Sequence, residues 1–366
     1  MKRKFKFLLI ITIVLTSCSS TNNGFKIKGH INGINDSTLI KLYDIDRQFT
    51  IDSTFSTNGN FILKGIVENP TSCWIQAKNK STTIQVENVE MTFKSSIENL
   101  RLDSKVTGGI EQELQNKLKE LQRPHDKIYL EAYDSLINKK YTNDIEKKKL
   151  IKQFNESQSA SQRIYVNFGK ENSNSYLGLN IVYMNRKRIP KDSLKLIYQN
   201  LKIPFKETTT AKALKIFLYE DIVKAGSQYI NFDAKTIDNN NFKLSSIKNK
   251  YIYLSFWSSG CAPCRMENKF FSRNIDSIPK DLAIVSFSID KNLELWKKAS
   301  ASDNISWHNV SDHEGYKGGV KTQYGVQAIP TSFLIDKKGT IIKKFTGYDP
   351  EKNIINELKK IMKQNK

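Results

Sequence analysis

The chain has 366 residues, enough for two or three domains, and its 39% hydrophobic and 26% charged content suits a globular protein with a buried core. The formal net charge is +21, but the lysines are dispersed and no basic run is interleaved with aromatics, so nucleic acid is not an expected partner and the surplus is read as a solvated surface beside an anionic membrane. Four cysteines, Cys18, Cys73, Cys261 and Cys264, are too few for a disulfide scaffold of this length. No second CxxC or HxxxH completes a tetrahedral zinc set, and Arg265 stands where a c-type haem site needs histidine, so neither a metal nor a cofactor is expected.

Lys2-Arg3-Lys4-Phe5-Lys6 is a basic segment and Phe7 to Leu15 an apolar one. The apolar run has about half the length of a bilayer span, so residues 1–17 read as an export signal and not as an anchor helix. Leu15-Thr16-Ser17-Cys18 resembles the bacterial lipobox, which implies cleavage before Cys18 and lipidation of that residue; an ordinary or uncleaved signal is the alternative. Residues 18–23 are then a tether to the membrane surface. No sorting acid follows Cys18, which favours the outer membrane over the inner on the periplasmic side of the cell envelope.

Residues 24–108 alternate apolar and polar positions in short runs: Phe25 to Gly29, Leu39 to Tyr43, Phe49 to Phe55 and Phe61 to Val67. Gly33-Ile34-Asn35-Asp36, Asn58-Gly59-Asn60 and Asn69-Pro70 separate them, and Ser72 to Lys78, Ser81 to Val86 and Glu90 to Ser95 add further strands. This spacing predicts an antiparallel β-sandwich-like domain. Cys73 lies in a strand pattern and reads as a small core residue. Asp52-Ser53-Thr54 and Gly59-Asn60-Phe61 resemble a β-rich domain of unknown role found ahead of envelope thioredoxins.

Gly108-Gly109 ends the strands, and residues 109–225 read as a helical connector. Ile110, Leu114, Leu118 and Leu121 recur at helical spacing up to a stop at Arg123-Pro124; Ile128, Tyr133, Leu136 and Ile137 continue a second helix. Tyr176 to Met184, Ser193 to Leu201 and Ala211 to Val223 are further amphipathic pieces. His125 is solitary and is read as a surface residue.

Residues 226–366 carry the chemistry. Tyr251 to Trp257 is a buried strand, broken by Ser258-Ser259-Gly260, and Cys261-Ala262-Pro263-Cys264 opens a helix whose apolar positions include Met266, Phe270 and Phe271. A cysteine at a helix start meets unpaired N–H groups and the positive end of the macrodipole, which favours the thiolate. Three residues on, a second cysteine is its neighbour on the helix and can close a disulfide. Pro263 suits an early helical position. Leu282 to Ile289 is a second buried strand, Leu293 to Ala299 and Gly315 to Tyr324 are helices, Ile341 to Phe345 completes a hairpin, and Pro350 to Lys363 is a closing helix. Strand–helix alternation followed by a hairpin and helix predicts an α/β fold around a mixed sheet.

Phe256-Trp257-Ser258-Ser259-Gly260-Cys261-Ala262-Pro263-Cys264-Arg265-Met266-Glu267, followed by Tyr324-Gly325-Val326-Gln327-Ala328-Ile329-Pro330-Thr331, resembles the TlpA- and ResA-like branch of the thioredoxin superfamily over residues 226–366. The resemblance implies a C-terminal thioredoxin fold and an enzyme, a thiol–disulfide oxidoreductase with catalytic Cys261 and Cys264. Glu267, three residues after Cys264, matches a glutamate that assists proton movement. Pro330 matches a cis proline packed beside the disulfide, which presents the Ile329 backbone to a substrate strand; Trp257, Ile329 and Pro330 are the expected substrate-binding residues. The implied partners are disulfide-bearing envelope proteins and a membrane thiol electron donor, and cytochrome c maturation is one implied use. The stretch between Cys264 and Pro330 exceeds that of minimal thioredoxins and fits the family's inserted helix–strand element. Two residues depart from the pattern. Gly260 replaces a tryptophan, which bears on groove shape, and Ser255 replaces the strand aspartate of minimal thioredoxins. Two other functions are weighed against this one: a non-catalytic binding lipoprotein, against which the intact CxxC and Ile329-Pro330 argue, and a thiol peroxidase. For the peroxidase Ser258 has the required spacing, but no proline leads its loop.

Overall fold

The computed structural model of the protein describes residues 24–365; the expected signal at 1–17, Cys18 and the tether to residue 23 lie outside the described residues. Eight strands come first: β1 (Phe25–Asn32), β2 (Leu39–Asp44), β3 (Phe49–Phe55), β4 (Asn60–Gly65), β5 (Thr71–Ala77), β6 (Lys80–Val86), β7 (Glu90–Ser96) and β8 (Lys105–Thr107). They form two four-stranded sheets, ordered β4-β1-β7-β8 and β3-β2-β5-β6. Alternation sets the inner faces: Phe25, Ile27 and Ile31 of β1 share one core with Ile40 and Leu42 of β2, Ile75 of β5 and Phe93 of β7. One pair departs from the antiparallel expectation. Strands β1 and β7 run parallel, because β2, β3, β5 and β6 all occupy the other sheet before the chain returns. Cys73 is fully buried in this core, and burial raises its thiol pKa.

The strands end at two glycines with φ of 95° and 92°; a Cβ on Gly108 would stand 2.3 Å from the Glu90 carbonyl oxygen. Five helices follow: α1 (Ile110–Ile137), α2 (Asp144–Glu171), α3 (Tyr176–Met184), α4 (Lys191–Gln199) and α5 (Thr209–Tyr219). The stop expected at Pro124 is corrected. Helix α1 runs through it, because its apolar stripe packs on α2 on both sides of the proline: Leu118 with Phe168, then Tyr129 and Tyr133 with Phe154 at centroid separations of 4.7 and 6.3 Å. The sequence reading missed α2. Its apolar residues are thinly spaced, and the legible sign is the cap, where Asn143 Oδ1 accepts from the Glu146 N–H at 2.9 Å and the Glu146 carboxylate accepts from the Thr142 N–H at 2.7 Å.

The remaining elements are β9 (Asp233–Thr236), β10 (Asn241–Lys243), β11 (Tyr251–Trp257), α6 (Ala262–Arg273), β12 (Leu282–Ser288), α7 (Leu293–Ser302), β13 (His308–Ser311), α8 (Gly319–Gln323), β14 (Thr331–Ile335), β15 (Ile341–Thr346) and α9 (Ile354–Gln364). They build a seven-stranded mixed sheet, β10-β9-β13-β12-β11-β14-β15, in which β11, β12 and β13 are parallel and β14 is antiparallel to β11. All seven residues of β11 are buried, Ile252, Leu254 and Phe256 toward one core and Tyr251 and Tyr253 toward the other. Strands β9, β10 and β13 have three or four residues each and too few apolar positions for a legible pattern. Helix α7 and β13 supply the extra element between β12 and β14. No described helix is long and apolar enough to cross a membrane. Pro124 is exposed, and proline costs a helix interior about 3 kcal/mol. Pro124→Ala is therefore expected to raise the urea midpoint or Tm of the protein; a lowered midpoint would mean that the proline ring contributes packing there.

Candidate active site

Strand β11 delivers the chain to the carboxyl edge of the sheet, where a helix start presents unpaired N–H groups. Cys261 is the N-cap of α6, and its Sγ accepts from the Cys264 N–H at 3.2 Å. Pro263 lies in the first turn. Cys261 and Cys264 are joined as a disulfide with a Cα–Cα distance of 5.3 Å. The two sulfurs are unequally placed: Cys261 is half-buried, whereas Cys264 has no exposure. Met266, expected on the apolar face of α6, is instead exposed, while Phe271 is buried.

Two side chains not singled out from the sequence hold the preceding loop. Asp290, buried just past β12, accepts from the Ser259 hydroxyl at 2.7 Å and from the Ser259 N–H at 2.9 Å. Arg265 donates to the Ser259 carbonyl at 3.2 Å and is itself held by Asp303 and by the Ala299 carbonyl at 3.3 Å. The available sign for Asp290 was its place directly after the apolar run Leu282 to Ile289. Lys291, the next residue, pairs with Asp46 of the β2–β3 turn at 2.7 Å, so the β-rich segment touches the loop that carries Asp290.

Glu267, the expected proton-handling residue, is buried at 3% exposure. Its carboxylate accepts from the Tyr253 hydroxyl at 2.7 Å and from the Ser255 hydroxyl at 2.9 Å, and Ser332 donates to Ser255 at 3.0 Å. Burial pushes the Glu267 pKa above the usual carboxylate range, and the two hydroxyl donors oppose that rise. Burial and the neighbouring carboxylate raise the Tyr253 pKa in turn. The Ser255 hydroxyl, at the strand position where an aspartate is absent, is thus part of a polar chain leading to Glu267.

The assignment of Trp257 to the substrate groove is corrected. It is 1% exposed and packs with Cys264, Trp296 and Ala299, forming the floor behind the disulfide because β11 is covered on both faces. Ile329 and Cys261 pack on the margin of this same cluster. The Ile329–Pro330 peptide is cis, as is Ile203–Pro204, which nothing in the sequence reading anticipated. Pro330 is buried, and its carbonyl accepts from the Gly347 N–H at 2.8 Å. Gly260 is exposed, and a Cβ there would meet nothing within 4 Å, so this side of the disulfide is open. Cys73 lies in the sandwich core, away from this constellation. Among the described residues no group of three or more His, Cys, Asp or Glu could hold a metal ion.

Residues 225–344 match the AhpC/TSA family, and residues 25–115 match a domain of unknown function, DUF4369. The chain is 29% identical over 148 residues to thiol-disulfide oxidoreductase ResA of Bacillus thuringiensis, covering 40% of this chain and 83% of that protein. It is 25% identical over 133 residues to ResA of Bacillus subtilis, covering 36% and 73% respectively. Among solved structures, the thioredoxin domain of a thiol-disulfide oxidoreductase from Bacteroides vulgatus is 28% identical, with 38% of this chain and 97% of that chain covered and a TM-score of 0.32. The sheet order, the cysteine pair at the start of α6, the AhpC/TSA match and the two ResA relatives agree: residues 225–344 are a thioredoxin-like domain, and the protein is a thiol–disulfide oxidoreductase.

Proposed function

We propose that the protein is an exported, lipid-anchored reductase of disulfides in envelope proteins, working through a Cys261–Cys264 dithiol/disulfide cycle. The unequal burial of the two sulfurs carries this reading, because it gives each a separate task. In the reduced protein the Cys261 thiolate, at the helix N-terminus and accessible, attacks one sulfur of a substrate disulfide. A mixed disulfide forms and one substrate thiolate leaves. The sheltered Cys264 then loses its proton and attacks Cys261, closing the internal disulfide and releasing the second substrate thiolate. Two electrons pass to the substrate, and a membrane dithiol returns the pair by the reverse exchange. Glu267, one helical turn from Cys264, takes the proton that Cys264 gives up. The Ile329 backbone, packed on the margin of the same cluster as Cys261, offers the substrate an extended edge.

Export and anchoring rest on the basic and apolar segments before Cys18 and on Leu15 to Cys18. The missing sorting acid favours the outer membrane for the anchor, and cytochrome c maturation is one use the reading allows. The non-catalytic alternative predicts that Cys261→Ser leaves the cellular phenotype unchanged, and the peroxidase alternative predicts peroxide consumption with a thiol donor.

Cys264→Ser is expected to accumulate mixed disulfides with envelope proteins, visible as thiol-sensitive bands on non-reducing gels, while Cys261→Ser accumulates none. Equal absence from both variants would overturn the cycle. Glu267→Gln is expected to slow resolution of the mixed disulfide by about 10²-fold, the lower end for a lost general base. It also changes stability. The folded state keeps its Glu267 proton over the pH range where the unfolded chain releases it, so stability falls as pH rises from the ordinary glutamate value to the raised native one. Glu267→Gln should remove that slope in denaturation followed against pH; an unchanged slope would exclude a raised native pKa.

A further inference from the structure

The loop that ends in Ile329 and Pro330 is held from beneath by a buried lysine, which is in turn braced by the helical segment. Lys321 of α8 is 1% exposed. Its Nζ donates to the Val326 carbonyl at 2.6 Å, and its own carbonyl accepts from the Val326 N–H at 3.1 Å, so one residue satisfies both backbone groups of Val326. The ammonium lies 3.7 Å from the centre of the Tyr316 ring, and the Tyr316 hydroxyl donates to the next carbonyl, that of Gln327, at 2.9 Å. Gln327 and Ala328 are exposed beyond these two ties, and Ile329 follows.

Helix α8 is fixed against the helical segment. The Tyr183 hydroxyl of α3 meets the Thr322 hydroxyl at 3.3 Å, the Val223 N–H donates to the Gln323 carbonyl at 3.1 Å, and the Gln323 amide donates to Glu220 at 2.8 Å. Gly325, at φ 58°, passes so close to Ile222 that a Cβ would stand 2.5 Å from its side chain. Burial, with Arg186 nearby, pulls the Lys321 pKa down to about 7. An ammonium in such a place is a cost that an apolar side chain of similar length would avoid.

We propose that Lys321 is a positioning residue for substrate binding: braced by α3 and the chain after α5, it fixes Val326 and through it the Ile329 backbone edge that receives a substrate strand. This rests on the reductase reading above and assigns the helical segment a part in it. The thiol chemistry does not pass through Lys321, so binding and exchange are separable.

The test uses the full chain with Lys321→Met, which fills similar volume without a donor, and Tyr316→Phe, which removes only the hydroxyl. The probes are insulin, whose disulfides must enter the groove, and glutathione disulfide, which needs little of it. For Lys321→Met, KM for insulin is expected to rise ~10-fold, the size of a lost hydrogen bond to a charged donor, with kcat, the glutathione disulfide rate and the Cys261–Cys264 reduction potential unchanged. Tm is expected to fall modestly, because the Val326 carbonyl loses its donor, whereas a merely structural lysine would disturb all four quantities along with Tm. Tyr316→Phe should move KM alone in the same direction by a smaller factor, which keeps the test decisive if Lys321→Met does not fold. An unchanged KM in a folded variant, or a shift in potential, overturns the proposal while leaving the reductase reading intact. Wild-type protein that exchanges with neither probe overturns both.

Discussion

Ser259 is gripped on both of its backbone faces, by the Asp290 carboxylate on its N–H and by the Arg265 guanidinium on its carbonyl. That grip fixes the point at which the chain stops being strand β11 and starts being helix α6. The start of α6 fixes the cap, the cap is Cys261, and a sulfur in that place faces the unpaired N–H groups and positive end of the helix. Asp290 and Arg265 lie outside the cysteine motif, yet the geometry of the motif depends on them. Their own anchors, Ser288 and Asp303, are buried, so the loop is tied to the rigid part of the sheet.

Around this point the domain separates two environments. On one face of β11 lies the apolar core of Ile252, Leu254 and Phe256, and the other face, toward α6, carries the disulfide floor of Trp257 and Trp296. On that same face, hydroxyls of Tyr253, Ser255 and Ser332 lead to one buried carboxyl. A lone carboxyl in such a place is tolerable because two hydroxyls donate to it. The two segments ahead of the domain meet it at loops that matter for the chemistry, the β-rich one through Asp46 and Lys291, the helical one through α8.

The sequence disclosed the parts whose signal is local. The unbroken apolar run from Tyr251 to Trp257, the cysteine spacing and the Ile329-Pro330 stretch are each readable within a dozen residues, and they lie together in the structure. Strands with clean alternation, such as β1, were equally legible. What escaped was set by distant partners. Nothing near Pro124 announces that α2 will pack on α1 on both sides of it. Strand β13 is four residues with Val310 as its clearest apolar position, made a strand by β12 and β9. Trp257 reads as a groove residue until the cover on both faces of β11 is known. Asp290, Arg265 and Lys321 look like ordinary surface charges because the groups they hold, Ser259 and Asp303 for the first two and Val326 for the third, are brought near by the fold.

The sealed thiol of Cys73 has a consequence for handling by the cell. With no surface and a proton held tightly by its apolar surroundings, it offers no foothold to oxidants or to a neighbouring sulfur. Among the described residues the redox inventory is therefore a single pair of electrons. Opening that one bond touches no other crosslink among the described residues, and no alternative pairing within them competes with it.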